Sequence, residues 1–452
     1  MRLPIGLLVI SNAFGIENLT YFQTNSHREN ENIFGHLGFT SNELTENVGD
    51  VTGNKYFIDA DFNYQSKGAR SKTVLEFAAI SNNEQDTMYS VPKAYYQYMI
   101  YRNEFYFGRS IVKWSPIDET WGLGKLNNRI NFDQFKPGQE GLTGVQYQLN
   151  RKSGFYMGAF ASLLYIPEMN PQLKINKNDG TVTCNNPWCK APTAQTQIRD
   201  QVVPIKYEVN MPPVDEVVLK YSVGLNLGHR TQMTELNIFG MRKPENKPSV
   251  SAELSFNQDP SLDKEDWVNV SIDPQIYYHD VLGATFALKG NGQFNGLKAH
   301  SSVLGIYPNV NPEGERIVYE YTGIKQEKRK EEYLASGLSY NWRRVQANAN
   351  YIARVSSFDH ESDDILVELP RWNQAINLGA EVQVTETFAS VFDYKYDMIT
   401  DDRLLMFSLR KQIGRDLLVS TGINMIGAPS DQSYWSDFRN NDAVFASLRL
   451  LF

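Results

Sequence analysis

The chain has 452 residues, 41% of them hydrophobic and 21% charged, and no apolar run reaches the roughly 18 to 20 residues that a bilayer-spanning helix requires. Only a closed β-barrel would let it cross a membrane, because an open sheet leaves unpaired backbone groups at its edges. A formal net charge of −8 with no basic cluster argues against a nucleic-acid partner.

From the start of the chain, Met1-Arg2, the apolar stretch Leu3 to Ile10 and the small residues Ser11-Asn12-Ala13 predict a signal peptide over 1–13. The competing reading is a buried first strand. Residues 14–33 are expected to be a short periplasmic segment, too short for a folded plug, with the main domain running over 34–452.

The rest of the chain alternates with period two over segments of about ten residues. Tyr56, Ile58, Ala60, Phe62 and Tyr64 fall on one face of the first clear segment, opposite Asp59, Asp61 and Asn63. Leu219 to Gly228 repeats the pattern, with Lys220 on the polar face. So do Val250 to Asn257, Ile376 to Val384 (Glu381 on the polar face) and Phe392 to Met398 (Asp393 and Lys395 on the polar face). About 22 such strands are expected, with roughly 18 to 24 as the bracket.

Connections alternate in length. Tight turns such as Lys67-Gly68, Arg151-Lys152-Ser153, Arg343-Arg344 and Gly414-Arg415-Asp416 interleave with long segments: Ser41 to Gly53, Pro116 to Glu140, Glu168 to Asp200, Phe358 to Pro370 and Pro429 to Asn440. This is the asymmetry of periplasmic turns and extracellular loops. Two connections break it: Tyr307 to Arg316 is long for its side and Gly228 to Thr231 is short. Rings near strand ends, such as Tyr56, Tyr64, Tyr340 and Trp342, suit interfacial girdles, although ordinary sheets also enrich aromatics.

Cys184 and Cys189 stand five positions apart in one long connection, a spacing that suits a local disulfide in an oxidising compartment. Further ligands for a metal are missing nearby, and no metal or cofactor is expected.

Asn441 to Phe452 places Val444, Ala446, Leu448, Leu450 and Phe452 on one apolar face, opposite Phe445, Ser447, Arg449 and Leu451. This resembles the closing strand of Gram-negative outer-membrane barrels, in which an aromatic C-terminus serves as an assembly signal. Leu450 stands where that pattern usually has an aromatic, and Ser447 where it often has glycine. The resemblance implies an all-β, transmembrane, antiparallel up-and-down barrel of porin-like type. It further implies that the barrel-assembly machinery reads Leu448, Leu450 and Phe452 and that outer-membrane lipid surrounds the wall; a homo-oligomer is left open.

A barrel this wide is not filled by its own wall. The segment Lys113 to Glu140, with Trp114, Trp121, Asn127, Arg129, Phe132 and Phe135, is too aromatic for a solvated loop; it is expected either to fold into the lumen as a constriction or to pack on itself over the mouth. Glu168 to Asp200 is expected as an external cap. Pore-lining candidates are Asp59, Asp61, Lys220, Arg343, Arg354, Glu381, Asp393, Lys395, Arg410 and Arg449. Facing sets of opposite sign would make a transverse field; neighbouring ones would pair as salt bridges. His360-Glu361 lacks the second histidine of a zinc-protease helix, and neither a nucleophile elbow nor a phosphate loop is found. The expected function is a porin-like channel for passive diffusion of small hydrophilic solutes. A structural or adhesive barrel with an occluded lumen is the alternative, and a barrel hydrolase a more distant one.

Overall fold

A computed structural model describes residues 33–452 apart from 45–53, 83–85, 136, 172, 177–178, 185, 190–191, 199–200, 258–266, 292–294, 310–322, 326–328 and 357–368. The expected signal peptide and nearly all of the segment 14–33 lie outside the described residues, as does His360-Glu361.

Eighteen strands form one closed antiparallel barrel. In chain order they are β1 (Ile33–Leu44), β2 (Asn54–Lys67), β3 (Ser71–Asn82), β4 (Thr87–Ile100), β5 (Asn103–Ser110), β6 (Leu142–Asn150), β7 (Phe155–Ser162), β8 (Ser222–Arg230) and β9 (Thr234–Pro244). The second half comprises β10 (Tyr278–Lys289), β11 (Leu297–Pro308), β12 (Glu331–Trp342), β13 (Val345–Arg354), β14 (Gln374–Gln383), β15 (Phe388–Asp397), β16 (Arg403–Ile413), β17 (Leu417–Gly427) and β18 (Ala443–Leu451). Each pairs with its chain neighbours, and β1 pairs with β18 in a register that sets Phe39 opposite Leu448. Phe452 completes the seam: its N–H donates to the Gly35 carbonyl (3.1 Å) and its carbonyl accepts from the Gly35 N–H (2.9 Å). Leu448 and Leu450 beside it point outward.

The wall is inside out relative to a soluble sheet protein. Leu225, Val382 and Leu448 are 47%, 38% and 50% exposed on the outer surface, whereas Asn226 and Ser447, one residue away on the lumen face, are 4% and 5% exposed. A leucine half left in water forgoes about half of the roughly 1.5–3 kcal/mol gained by full burial. Repeated around the strands, this apolar outer face is far more extensive than the patches a water-soluble monomer leaves exposed, and it is the pattern of an outer-membrane β-barrel wall. Exposed rings ring both rims: Tyr56, Tyr89 and Tyr307 toward the long connections, Tyr98, Tyr101, Tyr340 and Trp342 toward the short turns.

The barrel has 18 strands, not about 22. Five further strands, Gln195–Ile198, Gln201–Val209, Ser249–Asn257, Trp267–Gln275 and Gly323–Lys325, form a separate sheet, every strand of which lies within a long connection. The Val250 to Asn257 alternation belongs here. Its Ala252 is buried, and Leu254 packs against Val203, Ile205 and Val268. An apolar face that meets protein repeats with the same period as one that meets lipid, so alternation alone counted both. With these strands removed, both exceptions in loop length vanish: β8 and β9 join by the tight turn at 231–233, and the connection after Tyr307 falls on the long side.

Candidate functional site: a lumen crossed by an inward-folded loop

The connection 111–141 between β5 and β6 is buried inside the barrel. Ser115 caps the short helix α1 (Pro116–Trp121) by accepting the Asp118 N–H (3.2 Å), Pro116 occupies the first turn, and Gly122 ends the helix at φ 57°. Asp118 closes the next turn, its carboxylate accepting the N–H groups of Lys125 (2.6 Å) and Leu126 (3.0 Å). Burial pushes the Asp118 pKa up, and those two hydrogen bonds oppose the rise. Asn127 holds the loop's base, donating to the Val112 carbonyl (2.8 Å) and accepting its N–H (2.9 Å).

The loop is fastened to much of the wall. The Trp114 ring lies over Gly224, where a Cβ would come within 2.8 Å of it, so only glycine leaves room on β8. The Trp114 carbonyl accepts from Asn237 on β9 (2.9 Å), Lys243 donates to the Leu126 carbonyl (3.0 Å), and Lys125 pairs with Glu331 on β12 (2.7 Å). Arg129 pairs with Glu168 (3.4 Å), and Phe132 meets Phe57 on β2 edge to face at 6.0 Å. Around α1, the rings Trp121, Trp372 and Trp435 build an apolar core inside the lumen, joined by Phe239, Ile306 and Ile352 from the wall. Trp372 and Trp435 were missed as lumen residues in the sequence; their one signal was a tryptophan within a long connection.

Between the loop and the remaining arc of wall, from β16 through β18 and β1 to β4, lies a cavity of about 300 Å³. Asp59, Asp61, Arg410 and Arg449 line it with Phe57, Phe132, Phe135 and Phe445. The two aspartates and Arg449 pair across β2, β1 and β18: His36 Nε2 lies 2.6 Å from Asp59 and Nδ1 3.3 Å from Asp61, and Arg449 lies 3.5 Å from Asp59.

The other candidates scatter. Asp393 is buried on β15, accepting from Asn377 and 3.6 Å from Lys395; Glu381 is on β14. Arg354 lines a second cleft of about 90 Å³ on another side of the loop, with Lys125, Arg129 and Arg371. Arg343 is not on an inward face: it sits in the β12–β13 turn at φ 48°, exposed, its guanidinium 5.3 Å from the Trp342 ring. Lys220 is outside the wall as well, because β8 begins only at Ser222.

Cys184 and Cys189 are disulfide-bonded. Their loop does more than cover the barrel from outside, since Trp188 and Asn186 are buried and Pro187 and Trp188 line the main cavity. Among the described residues no group of three or more His, Cys, Asp or Glu is placed to hold a metal ion.

No protein-family model and no curated protein sequence matches the chain. Among solved structures it is similar to Wzi of Escherichia coli, described as an outer-membrane, carbohydrate-binding β-barrel involved in group 1 capsule assembly. The two share 11% identity over 95% of this chain and 86% of that one, with a TM-score of 0.45. OccK11 of Pseudomonas aeruginosa shares 10% identity (93% and 94% covered, TM-score 0.46) and OccAB1 of Acinetobacter baumannii 9% (93% and 95% covered, TM-score 0.46). Likeness at this level transfers no function, and the barrel assignment rests on the eighteen-strand closure itself.

Proposed function

We propose that the chain is an outer-membrane channel of a Gram-negative bacterium that passes small hydrophilic solutes by diffusion, with the connection 111–141 as its constriction. The observation that carries this reading is the shape of the cavity. It follows four consecutive inward positions of β18, Ala443, Phe445, Ser447 and Arg449, which at about 3.3 Å per residue is roughly 20 Å of wall from the mouth toward mid-barrel. A solute descending it meets aromatic faces first and then the Asp59–Arg449 and His36–Asp61 pairs, which offer polar groups of both signs. On this reading lipid covers the outer wall, the assembly machinery handles the strand ending at Phe452, and the chain performs no chemistry; association of several barrels is compatible with it.

Planar-bilayer recording of the purified protein tests it. Discrete conductance steps are expected, and larger ones when residues 116–135 are replaced by a short Gly-Ser linker. The aromatic core around Trp121, Trp372 and Trp435 favours a second reading, an adhesive or structural barrel with an occluded lumen. That reading gains if the protein shows no conductance and only the linker variant does.

A further inference from the structure

We infer that Trp188, held by the Cys184–Cys189 ring, sets the size limit at the outer end of the passage; the inference rests on the channel reading above. Among the described residues that line the cavity, Pro187 and Trp188 alone belong neither to the connection 111–141 nor to the wall strands and the connection beside them that carries Asn441. They arrive from the β7–β8 connection and wedge between the two. The Trp188 ring meets Phe135 of the constricting loop edge to face at 5.3 Å and Phe438 of the β17–β18 connection at 5.5 Å. It thus bridges the constricting loop and the β17–β18 connection beside the cavity.

The ring that carries Trp188 is fixed at both flanks. Asn441 donates to the Pro187 carbonyl (2.7 Å), and Asn186 reaches Asp86 in the β3–β4 connection (3.5 Å). Within the ring, the Asn186 side chain accepts the Trp188 N–H (2.9 Å) and its carbonyl accepts the Cys189 N–H (3.1 Å). The disulfide spans five positions, so the indole has little freedom to swing away while the ring is closed. A planar side chain seated by its neighbours and clamped at its backbone acts as a sill past which solutes must fit.

The test compares the parent, Trp188→Ala, Trp188→Phe and the double variant Cys184→Ser/Cys189→Ser in planar bilayers, with polyethylene glycols of increasing size as uncharged probes. Circular dichroism of each preparation establishes that the barrel has folded. Trp188→Ala is expected to raise unit conductance by about twofold or more and to admit larger glycols. Trp188→Phe should stay near the parent, because a ring remains against Phe135. The double serine variant should flicker between the parental and the enlarged level. A conducting parent whose conductance and glycol cut-off are unchanged in Trp188→Ala overturns the inference and leaves the channel reading standing. Absence of conductance from the parent, from Trp188→Ala and from the linker variant overturns both.

Discussion

The indole nitrogen of Trp372 donates a 3.1 Å hydrogen bond to the carbonyl of Trp121, 251 residues earlier in the chain. The two rings meet at 5.6 Å, and Trp372 in turn meets Trp435 at 5.4 Å. Three connections of the barrel are thereby locked together inside it, which makes the connection 111–141 a packed core element and not a hanging flap.

Removing that lock should free the loop without opening the wall. Trp372→Ala is expected to cost about 3–5 kcal/mol of local packing, and Trp372→Phe about 1 kcal/mol through the lost hydrogen bond. Limited proteolysis of the folded protein would show cleavage within 116–135 in the alanine variant and little in the phenylalanine one. Equal resistance in both would count against the packed-core description.

Glu140 anchors the returning end of the loop. Its carboxylate is fully buried, accepts from Ser90 and pairs with Arg109, which also donates to the Gly141 carbonyl (2.8 Å). Glu140→Ala takes the carboxylate from the largely enclosed Arg109 guanidinium and should cost about 3–5 kcal/mol, whereas Glu140→Gln keeps an acceptor and should cost less. Urea midpoints in detergent micelles report the difference.

Asp402, in the β15–β16 connection, gives a pH signature. Burial raises its pKa to about 6, against hydrogen bonds from Thr400 and Ser433, and the nearby Asp397 and Asp401 add to the rise. Between its ordinary value of 3.8 and about 6 the folded state binds more proton than the unfolded one, so stability falls as pH rises through that window and levels off above it. Thermal unfolding followed from pH 4 to pH 7 should show a smaller decline in Asp402→Asn than in the parent.

Leu225 tests what touches the wall. It is exposed near the middle of β8, and if hydrocarbon covers it, Leu225→Arg should cost about 2–4 kcal/mol on folding into lipid vesicles. In a water-facing wall the same change would be close to neutral. A neutral result would remove the membrane from the account of this fold.

Much of this was legible in the sequence because it is a matter of local period. Alternation in a strand is a property of the backbone, so Leu225, Val382 and Leu448 could be set apart from their polar neighbours before any contact was known, and an aromatic segment at Lys113 to Glu140 was already too apolar to be solvated. Period two says nothing about what covers the apolar face, and so Val250 to Asn257 read like a wall strand until its partners in the separate sheet were seen. Distances across the barrel are likewise set by closure, not by local pattern. Only the pairing of β18 with β1 brings Arg449 to Asp59, and only the packing of three connections puts Trp188 against Phe135 and Phe438. The sequence by itself determined the wall, its polarity and its closing strand; the tertiary structure decided how many strands the wall has and what narrows it, because both depend on contacts between residues far apart in the chain.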